Sequence, residues 1–259
     1  MDLRLDPRLA SGYRSRSQIA RVMTERWFEQ NVYCPACTSE ELTRLPHNMK
    51  VLDFRCPACE EMFQLKSKSN KYGNTVVDSE YSTKEKQIRS GHSPNWAFLQ
   101  YDAEELTVKN LMMIPKHFMT LDAVEKRKPL RESARRAGWV GSNILLSRLP
   151  PDARVFLVKD DETRSPENVR EEWSRFAFLG RQRMEGRGWL NDVLTCVRDL
   201  GKEEFTLDDV YNYEPKLQAM HLDNRHVRPK IRQQLQILRD QNIIEFIARG
   251  RYHVRTYKD

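Results

Sequence analysis

The chain has 259 residues, 39% of them hydrophobic, and a formal net charge of +7. This length suffices for one large domain or for a medium and a small one, and it can bury a substantial core without disulfides. The longest apolar runs are far shorter than the roughly 18 residues that span a bilayer, and the first ten residues alternate charged with apolar positions. We therefore expect a cytoplasmic protein with no secretory signal and no membrane partner.

The N-terminal part is predicted to be one helix followed by a mixed sheet. Ser17 is a candidate cap for an amphipathic helix that begins directly after it. Alternating or continuous apolar runs predict short strands over 50–54, 61–67, 95–101, 107–114 and 153–159. This order of elements indicates an α/β core.

Two Cys-Pro-Ala-Cys units interrupt the first strands. Cys34 and Cys37 are separated from Cys56 and Cys59 by 18 residues, a spacing typical of structural zinc sites with four thiolates. Four thiolates close the tetrahedron and leave no open position for a catalytic water, so the predicted zinc is structural. A redox dithiol is the alternative, although such sites need only one C-x-x-C unit.

Three polar residues surround the second cysteine pair. Gln64 and Lys66 are two positions apart on a predicted strand and so share a face, and a neighbouring strand with Asp53 could place a carboxylate beside them. Asp53 and Gln64 can supply oxygen ligands for Mg²⁺, while Lys66 can orient a water and offset negative charge. The pattern D-x10-Q-x-K predicts a metal-dependent phosphodiesterase, but surface charges on an ordinary hairpin would give the same pattern.

The C-terminal part changes to short helices. Residues 160–188 are polar and contain three glycines, so we predict a domain boundary near their end, with domains 1–183 and 184–259. Thr206 and Asp209 have capping-box spacing, and a third helix within 224–241 precedes two strands around an Arg249-Gly250 turn. Three helices and a hairpin predict a winged helix.

Positive charge is concentrated in this C-terminal part. Residues 224–259 carry nine Lys or Arg and three Asp or Glu, which accounts for most of the net charge. A basic helix-plus-hairpin indicates DNA as the partner, although a merely solvated basic face is the simpler interpretation. The candidate groove contacts are Arg228, Arg232, Gln233 and Gln236, while Lys230 and Arg251 could contact only phosphates.

Four segments together resemble the DpnI type of methyl-directed restriction endonuclease. They are the run through the zinc site into SKSNKYGNT, then RKPLRESARRAGWVGSNI, RVFLVKD, and IRQQLQILRDQNIIEFIARGRY. The resemblance implies a PD-(D/E)xK nuclease core with an embedded zinc site, a winged helix that also binds DNA, and Mg²⁺-dependent cleavage of double-stranded DNA at GATC sites with N6-methyladenine. It implies a monomeric type II enzyme.

The resemblance assigns roles to the motif residues and also reveals departures. Asp53 and Lys66 match the first acid and the lysine of the motif, whereas Leu52 replaces its proline and Gln64 replaces its second acid. An amide oxygen can coordinate Mg²⁺ but adds no charge, so we expect weaker metal binding than with Glu. Glu25 lies where some proteins of this fold add an acidic ligand, although an exposed helix charge is the better explanation.

The segment SARRAGWVGSN provides candidate readers of the methyl group. Trp139 could form an apolar wall for it, and Arg135 or Arg136 could contact guanine edges or phosphates. A core tryptophan beside two glycines is the alternative for Trp139.

Two other functions remain open on sequence alone. Gln64 allows a catalytically inactive regulator that binds methylated DNA. A zinc-ribbon and winged-helix transcription factor also fits the C-terminal part, but it does not explain the D-x10-Q-x-K pattern.

Overall fold

The computed structural model describes residues 1–46 and 52–255. The chain divides into two compact units, one formed by Met1–Leu146 with Asp152–Ala177 and the other by Ser147–Pro151 with the residues from Phe178 onwards. Among the described residues, none of the helices is long and apolar enough to cross a bilayer. Each unit is described by itself.

The first unit is a mixed α/β structure. Its helices are α1 (Arg16–Asn31), α2 (Tyr81–Arg89) and α3 (Pro166–Arg175). Its strands are β1 (Thr43–Arg44), β2 (Phe54–Arg55), β3 (Met62–Lys68), β4 (Thr75–Glu80), β5 (Asn95–Asp102), β6 (Thr107–Ile114), β7 (Val124–Lys126), β8 (Gly141–Leu145), β9 (Val155–Lys159) and β10 (Glu162–Thr163).

Two sheets organise these strands. The larger has the order β1-β2-β3-β5-β6-β9-β10, in which only β3 and β5 are parallel, and the smaller has the order β4-β8-β7. The parallel pair requires a crossover, which β4 and α2 supply between them. Because side chains alternate along a strand, Phe63 and Leu65 lie on one face of β3, while Gln64 and Lys66 lie on the other.

The Phe63 face of the large sheet is covered by α1. Trp27 and Phe28 of this helix are buried in a core that also contains Phe54 and Phe63, and the rings of Phe28 and Phe54 are 4.6 Å apart between centroids. Each fully buried aromatic or aliphatic side chain of this kind contributes about 1.5–3 kcal/mol relative to exposure. The apolar side chains of α1 therefore cover one face of the sheet, and the polar residues of β3 lie on the opposite face.

The N-terminal cap of α1 differs from the prediction. The helix begins at Arg16, so Ser15 and not Ser17 is the cap residue. The Oγ atoms of Ser15 and Ser17 are 2.9 Å apart and hydrogen-bond to each other, and Ser15 caps no backbone N–H through its side chain. Ser15 and Ser17 are both suitable N-cap residues, so the sequence alone did not show at which of them α1 begins.

Most predicted strands of the first unit are confirmed, and one is wrong in extent. Strands β3, β5, β6 and β9 match the predicted segments within two residues. Of the strand predicted over 50–54, residues 50 and 51 lie outside the described residues, and β2 begins only at Phe54. Asp53 lies just outside β2, although its backbone N–H still donates to the Phe63 carbonyl and its side chain accepts from the Leu65 N–H.

The second unit is a helix-turn-helix type domain with a three-stranded sheet. Its helices are α4 (Met184–Asp199), α5 (Leu207–Tyr211), α6 (Glu214–Met220) and α7 (Val227–Asp240), and its strands are β11 (Glu204–Thr206), β12 (Ile244–Ala248) and β13 (Arg251–Val254), in the order β11-β13-β12. The predicted capping box is confirmed, since Thr206 and Asp209 exchange both hydrogen bonds. Gly250 has a φ of +70°, which the turn between β12 and β13 requires.

Helix α7 has the predicted amphipathic character. Its buried positions include Val227, Ile231, Leu235 and Leu238, at the spacing of one helix face. The predicted DNA-contacting residues fall on the exposed remainder of the same helix.

Candidate functional site

The four predicted zinc ligands meet at one point. The Sγ atoms of Cys34, Cys37, Cys56 and Cys59 all lie within 4.8 Å of one another. The distances are 3.7 Å between the sulfurs of Cys34 and Cys59 and 3.5 Å between those of Cys37 and Cys56. A tetrahedron with Zn–S bonds of about 2.3 Å places its sulfurs about 3.8 Å apart, so this cluster could hold a zinc ion.

Backbone N–H groups favour the thiolate form of Cys56, whereas burial raises the pKa of Cys34 and raises that of Cys59 to about 11. The backbone N–H of Ser39 points at the Cys37 sulfur and that of Cys59 at the Cys56 sulfur, each at 3.5 Å. Burial opposes ionisation of Cys56, but the backbone N–H groups of Cys59 and Ala58 outweigh it and lower the pKa of this thiol to about 6. A thiolate is the form that binds a metal.

The cysteine cluster ties together the segments that carry Asp53 and Gln64. Cys56 and Cys59 form the connection between β2 and β3, while Cys34 and Cys37 follow α1. Cys34 and Cys56 are fully buried in the same core as Phe54 and Phe63. A bound ion would therefore fix the β2–β3 hairpin against α1.

Asp53 is held by three hydrogen bonds at the start of this hairpin. Its N–H donates to the Phe63 carbonyl at 3.0 Å, its carbonyl accepts from the Leu45 N–H at 2.8 Å, and its Oδ2 accepts from the Leu65 N–H at 2.8 Å. Burial raises the pKa of Asp53, an effect that the nearby positive charge of Lys66 partly opposes. The carboxylate thus lies beside the strand that carries Gln64 and Lys66.

Gln64 and Lys66 lie on the same face of β3, as predicted. Gln64 is only 6% exposed, whereas the Lys66 side chain is 25% exposed. The structure therefore brings all three motif residues to one end of the β2–β3 hairpin, where Lys66 is more exposed than Gln64.

Two charged residues in this site were missed by the sequence analysis. Asp78 of β4 has no side-chain exposure, and its Oδ1 lies 2.7 Å from the Lys66 Nζ. Lys84 of α2 is equally buried, and its Nζ lies 3.2 Å from Asp78 Oδ2 and 3.2 Å from Gln64 Oε1. No sequence pattern pointed to them, because the segment TVVDSE over 75–80 does not alternate apolar with polar residues.

The electrostatics of these residues depend on one another. Burial would raise the pKa of Asp78, but the ammonium groups of Lys66 and Lys84 outweigh it and lower that pKa. Burial lowers the pKa of Lys84 to about 8, against the opposing effect of Asp78. Perturbed, mutually paired groups of this kind are concentrated at functional sites.

Glu25 of α1 forms ion pairs instead of entering this group. Its carboxylate pairs with Arg44 of β1, and with Arg21 at 3.8 Å one turn away on α1. The structure therefore favours a structural role for Glu25.

The predicted methyl-reading residues form a second cluster in the first unit. The Trp139 ring packs against Gly141, and the Arg136 guanidinium lies 4.7 Å from the ring centroid. Trp139 is half-buried, while Arg135 and Arg136 are exposed. Its ring is thus fixed at the surface rather than enclosed in a core.

The predicted DNA-contacting residues of α7 are exposed. Two of them are already ordered by α5 and α6, because Arg228 pairs with Glu214 at 2.7 Å and stacks over Tyr211, while Arg232 donates to the Tyr211 hydroxyl at 2.9 Å. Of the two predicted phosphate contacts, Arg251 pairs with Glu204 at 3.2 Å. The arginines of this surface are therefore aligned by neighbouring acids and a tyrosine.

Two family models match the chain, one for each part. The model of the DpnI Dam-replacing family matches residues 1–182, and that of the Dam-replacing HTH domain matches residues 185–254. The chain belongs to the DpnI Dam-replacing family. The resemblance seen in four sequence segments is thereby confirmed.

Membership of the DpnI family suggests a function for each of the two units. It suggests a nuclease for the first, and its helix-turn-helix domain suggests DNA binding by the second. In this DpnI-family protein, Asp53 and Lys66 lie in the part matched by the first model, and the basic α7 lies in the part matched by the second.

Proposed function

We propose that the protein is a methyl-directed type II restriction endonuclease that hydrolyses phosphodiester bonds in double-stranded DNA at GATC sites with N6-methyladenine. The observation that carries this proposal is the match of the two family models over both parts of the chain. The grouping of Asp53, Gln64 and Lys66 at one end of a buried hairpin supports a PD-(D/E)xK type of site.

Asp53 and Gln64 would hold the catalytic Mg²⁺. Carboxylate and amide oxygens are the hard ligands that this ion prefers, and when bound it polarises the phosphate and lowers the pKa of a water. Lys66, whose side chain is partly exposed, would donate to the attacking water or a phosphate oxygen, and Asp78 holds its ammonium in place. The four cysteines would hold a structural zinc ion.

Recognition of the methyl group would come from both units. Burying one methyl is worth about 0.8 kcal/mol, and an apolar pocket discriminates one carbon by roughly 10- to 200-fold. Trp139 offers an apolar ring edge, Arg136 lies beside it, and the exposed Arg135 could likewise contact phosphates or guanine edges. Helix α7 would read the major groove with Arg228, Arg232, Gln233 and Gln236.

Incubation of the purified protein with Mg²⁺ and plasmid tests the function. Plasmid from an adenine-methylating host should be cut at its GATC sites, and the same plasmid from a non-methylating host should stay intact. Cutting of both preparations, or a cleavage pattern unrelated to GATC, would contradict the proposal.

A second candidate function is a regulator that binds methylated DNA without cutting it. The neutral Gln64 favours this alternative, because it removes a charge from the metal site. The regulator would be the better description if the protein binds methylated duplex but nicks no DNA at any Mg²⁺ or Mn²⁺ concentration.

Substitution of Gly141 tests the role of Trp139. A Cβ at this position would lie 2.8 Å from two ring atoms of Trp139, so Gly141→Ala must displace the ring. We expect the preference for methylated over unmethylated duplex to fall roughly tenfold. Gly12→Ala is the matched control, because its Cβ would have nothing within 4 Å. An unchanged preference in a correctly folded Gly141→Ala protein would exclude Trp139 as a reader.

Removal of the C-terminal part tests the DNA-binding role of the second unit. A protein of residues 1–183 should retain zinc and lose most of its affinity for methylated duplex, because the basic α7 and its hairpin are absent. Binding isotherms at one fixed salt concentration measure this loss. Equal affinity of the shortened and complete chains would contradict the assignment of α7.

A further inference from the structure

Lys84 is a fully buried cation in the middle of the proposed active site. Its Nζ lies 3.2 Å from Gln64 Oε1, 3.2 Å from Asp78 Oδ2 and 4.0 Å from the centroid of the Trp96 ring. A buried ammonium group is destabilising unless it is paired and hydrogen-bonded. Every one of these neighbours is an acceptor or a π-face, so the site is built to hold a positive charge.

The ammonium group of Lys84 fixes the orientation of the Gln64 amide. An ammonium has three donors and no acceptor, so Gln64 must direct its carbonyl oxygen, and not its NH₂ group, towards it. The oxygen has a second lone pair for a metal ion. Because Gln64 is only 6% exposed, this contact with Lys84 restricts the rotamer of its side chain.

Asp78 connects Lys84 to the other motif residue. Its two carboxylate oxygens contact one lysine each, Oδ1 with Lys66 at 2.7 Å and Oδ2 with Lys84 at 3.2 Å. A continuous set of contacts therefore runs from Gln64 through Lys84 and Asp78 to Lys66. This set contains two ammonium groups and one carboxylate, with a neutral amide at position 64.

We propose that Lys84 is a positioning residue matched to Gln64, and that it determines how much residue 64 contributes to divalent metal binding. This inference rests on the proposed function in assigning a metal to Asp53 and Gln64. A glutamate at position 64 would form a buried ion pair with Lys84. The Lys84 ammonium would neutralise much of the added negative charge, so the charge would strengthen metal binding only a little. Without the Lys84 ammonium, the negative charge of the same glutamate would not be neutralised in this way and would strengthen metal binding more.

The inference predicts that substitutions at positions 64 and 84 are coupled. Independent effects of two charges on a metal ion would add, whereas a direct pair makes one effect depend on the presence of the other residue. Gln64→Glu should therefore tighten metal binding much more in a Lys84→Met protein than in the natural one. Methionine retains most of the length of the lysine side chain but not the charge that lies over the Trp96 ring.

The test measures Mn²⁺ binding to the zinc-loaded, DNA-free, full-length protein by electron paramagnetic resonance of the free ion. Four proteins form the cycle: the natural one, Gln64→Glu, Lys84→Met and the double variant. Asp53→Asn identifies the relevant site by abolishing the binding. We expect the tightening caused by Gln64→Glu to be at least fivefold greater in the Lys84→Met background.

Two further variants keep the result interpretable. Lys84→Gln supplies a second neutral background, in which an amide can still donate to Asp78 if Lys84→Met does not fold. Lys86→Met is the matched control, because Lys86 lies exposed on the same helix two residues away, and it should give additive effects. Melting temperature and zinc content check the fold of each protein.

A difference of less than fivefold between the backgrounds would overturn the inference, as would the absence of Mn²⁺ binding that depends on Asp53. The failure of the proposed function has a different signature. If the natural protein cuts no DNA but the coupling is present, the nuclease assignment is wrong while the role of Lys84 stands.

Discussion

Replacement of Asp53 by Asn is expected to slow DNA cleavage by about 10³-fold, since it removes the only carboxylate among the three motif residues and with it most of the hold on the metal. The substitution preserves the shape of the side chain, and the amide oxygen can still accept from the Leu65 N–H. Binding to methylated duplex in Ca²⁺ should therefore change little. Single-turnover cleavage and a binding isotherm measure the two effects.

Lys66→Ala should produce a loss of similar size for a different reason. It removes the donor to the water or phosphate and leaves Asp78 with Lys84 as its remaining lysine partner. Lys109→Ala and Asp102→Asn, at the far end of the β5–β6 hairpin, are matched controls and should cut at the natural rate. Undiminished cutting by Asp53→Asn would place the active site elsewhere.

Loss of the zinc site should destabilise the first unit severely. Structural zinc sites in zinc-finger peptides contribute about 10–16 kcal/mol of binding free energy at neutral pH, and this energy is coupled to folding. Cys56→Ser alters a fully buried ligand inside the core that holds the β2–β3 hairpin. We expect less than one zinc per chain and a melting temperature lower by at least about 10 °C.

Cys196→Ser is the appropriate comparison for this experiment. Cys196 is as buried as Cys56, but it lies on α4 in the second unit, outside the four-cysteine cluster. Its replacement should leave the zinc content at one per chain. If the purified natural protein contains no zinc when chelators are avoided, the metal assignment of the cluster is wrong.

Local patterns were sufficient to predict much of the fold. The strand over Met62–Lys68 follows from the alternation of apolar and polar residues, and the Thr206–Asp209 capping box follows from spacing alone. The four cysteines could be grouped because C-x-x-C spacing encodes the geometry of a single ion. These features depend on residues that are near one another in sequence.

The remainder depends on contacts that spacing does not encode. Strand β4 and helix α2 were not predicted, because residues 75–89 are mostly polar and have no strong period. Asp78 and Lys84 reach Gln64 and Lys66 only because the parallel β3–β5 pair requires a crossover that carries β4 and α2 past them. A buried lysine on a polar helix looks in sequence like any exposed lysine.

Methyl-directed cleavage at GATC sites is tested by single-turnover cleavage of two short duplexes with saturating Mg²⁺. Both contain one GATC site, and they differ only in N6-methylation of the adenine on both strands. We expect the methylated duplex to be cleaved at least about tenfold faster than the unmethylated one, because an apolar pocket discriminates a single carbon by roughly 10- to 200-fold. Equal rates on the two duplexes would contradict it.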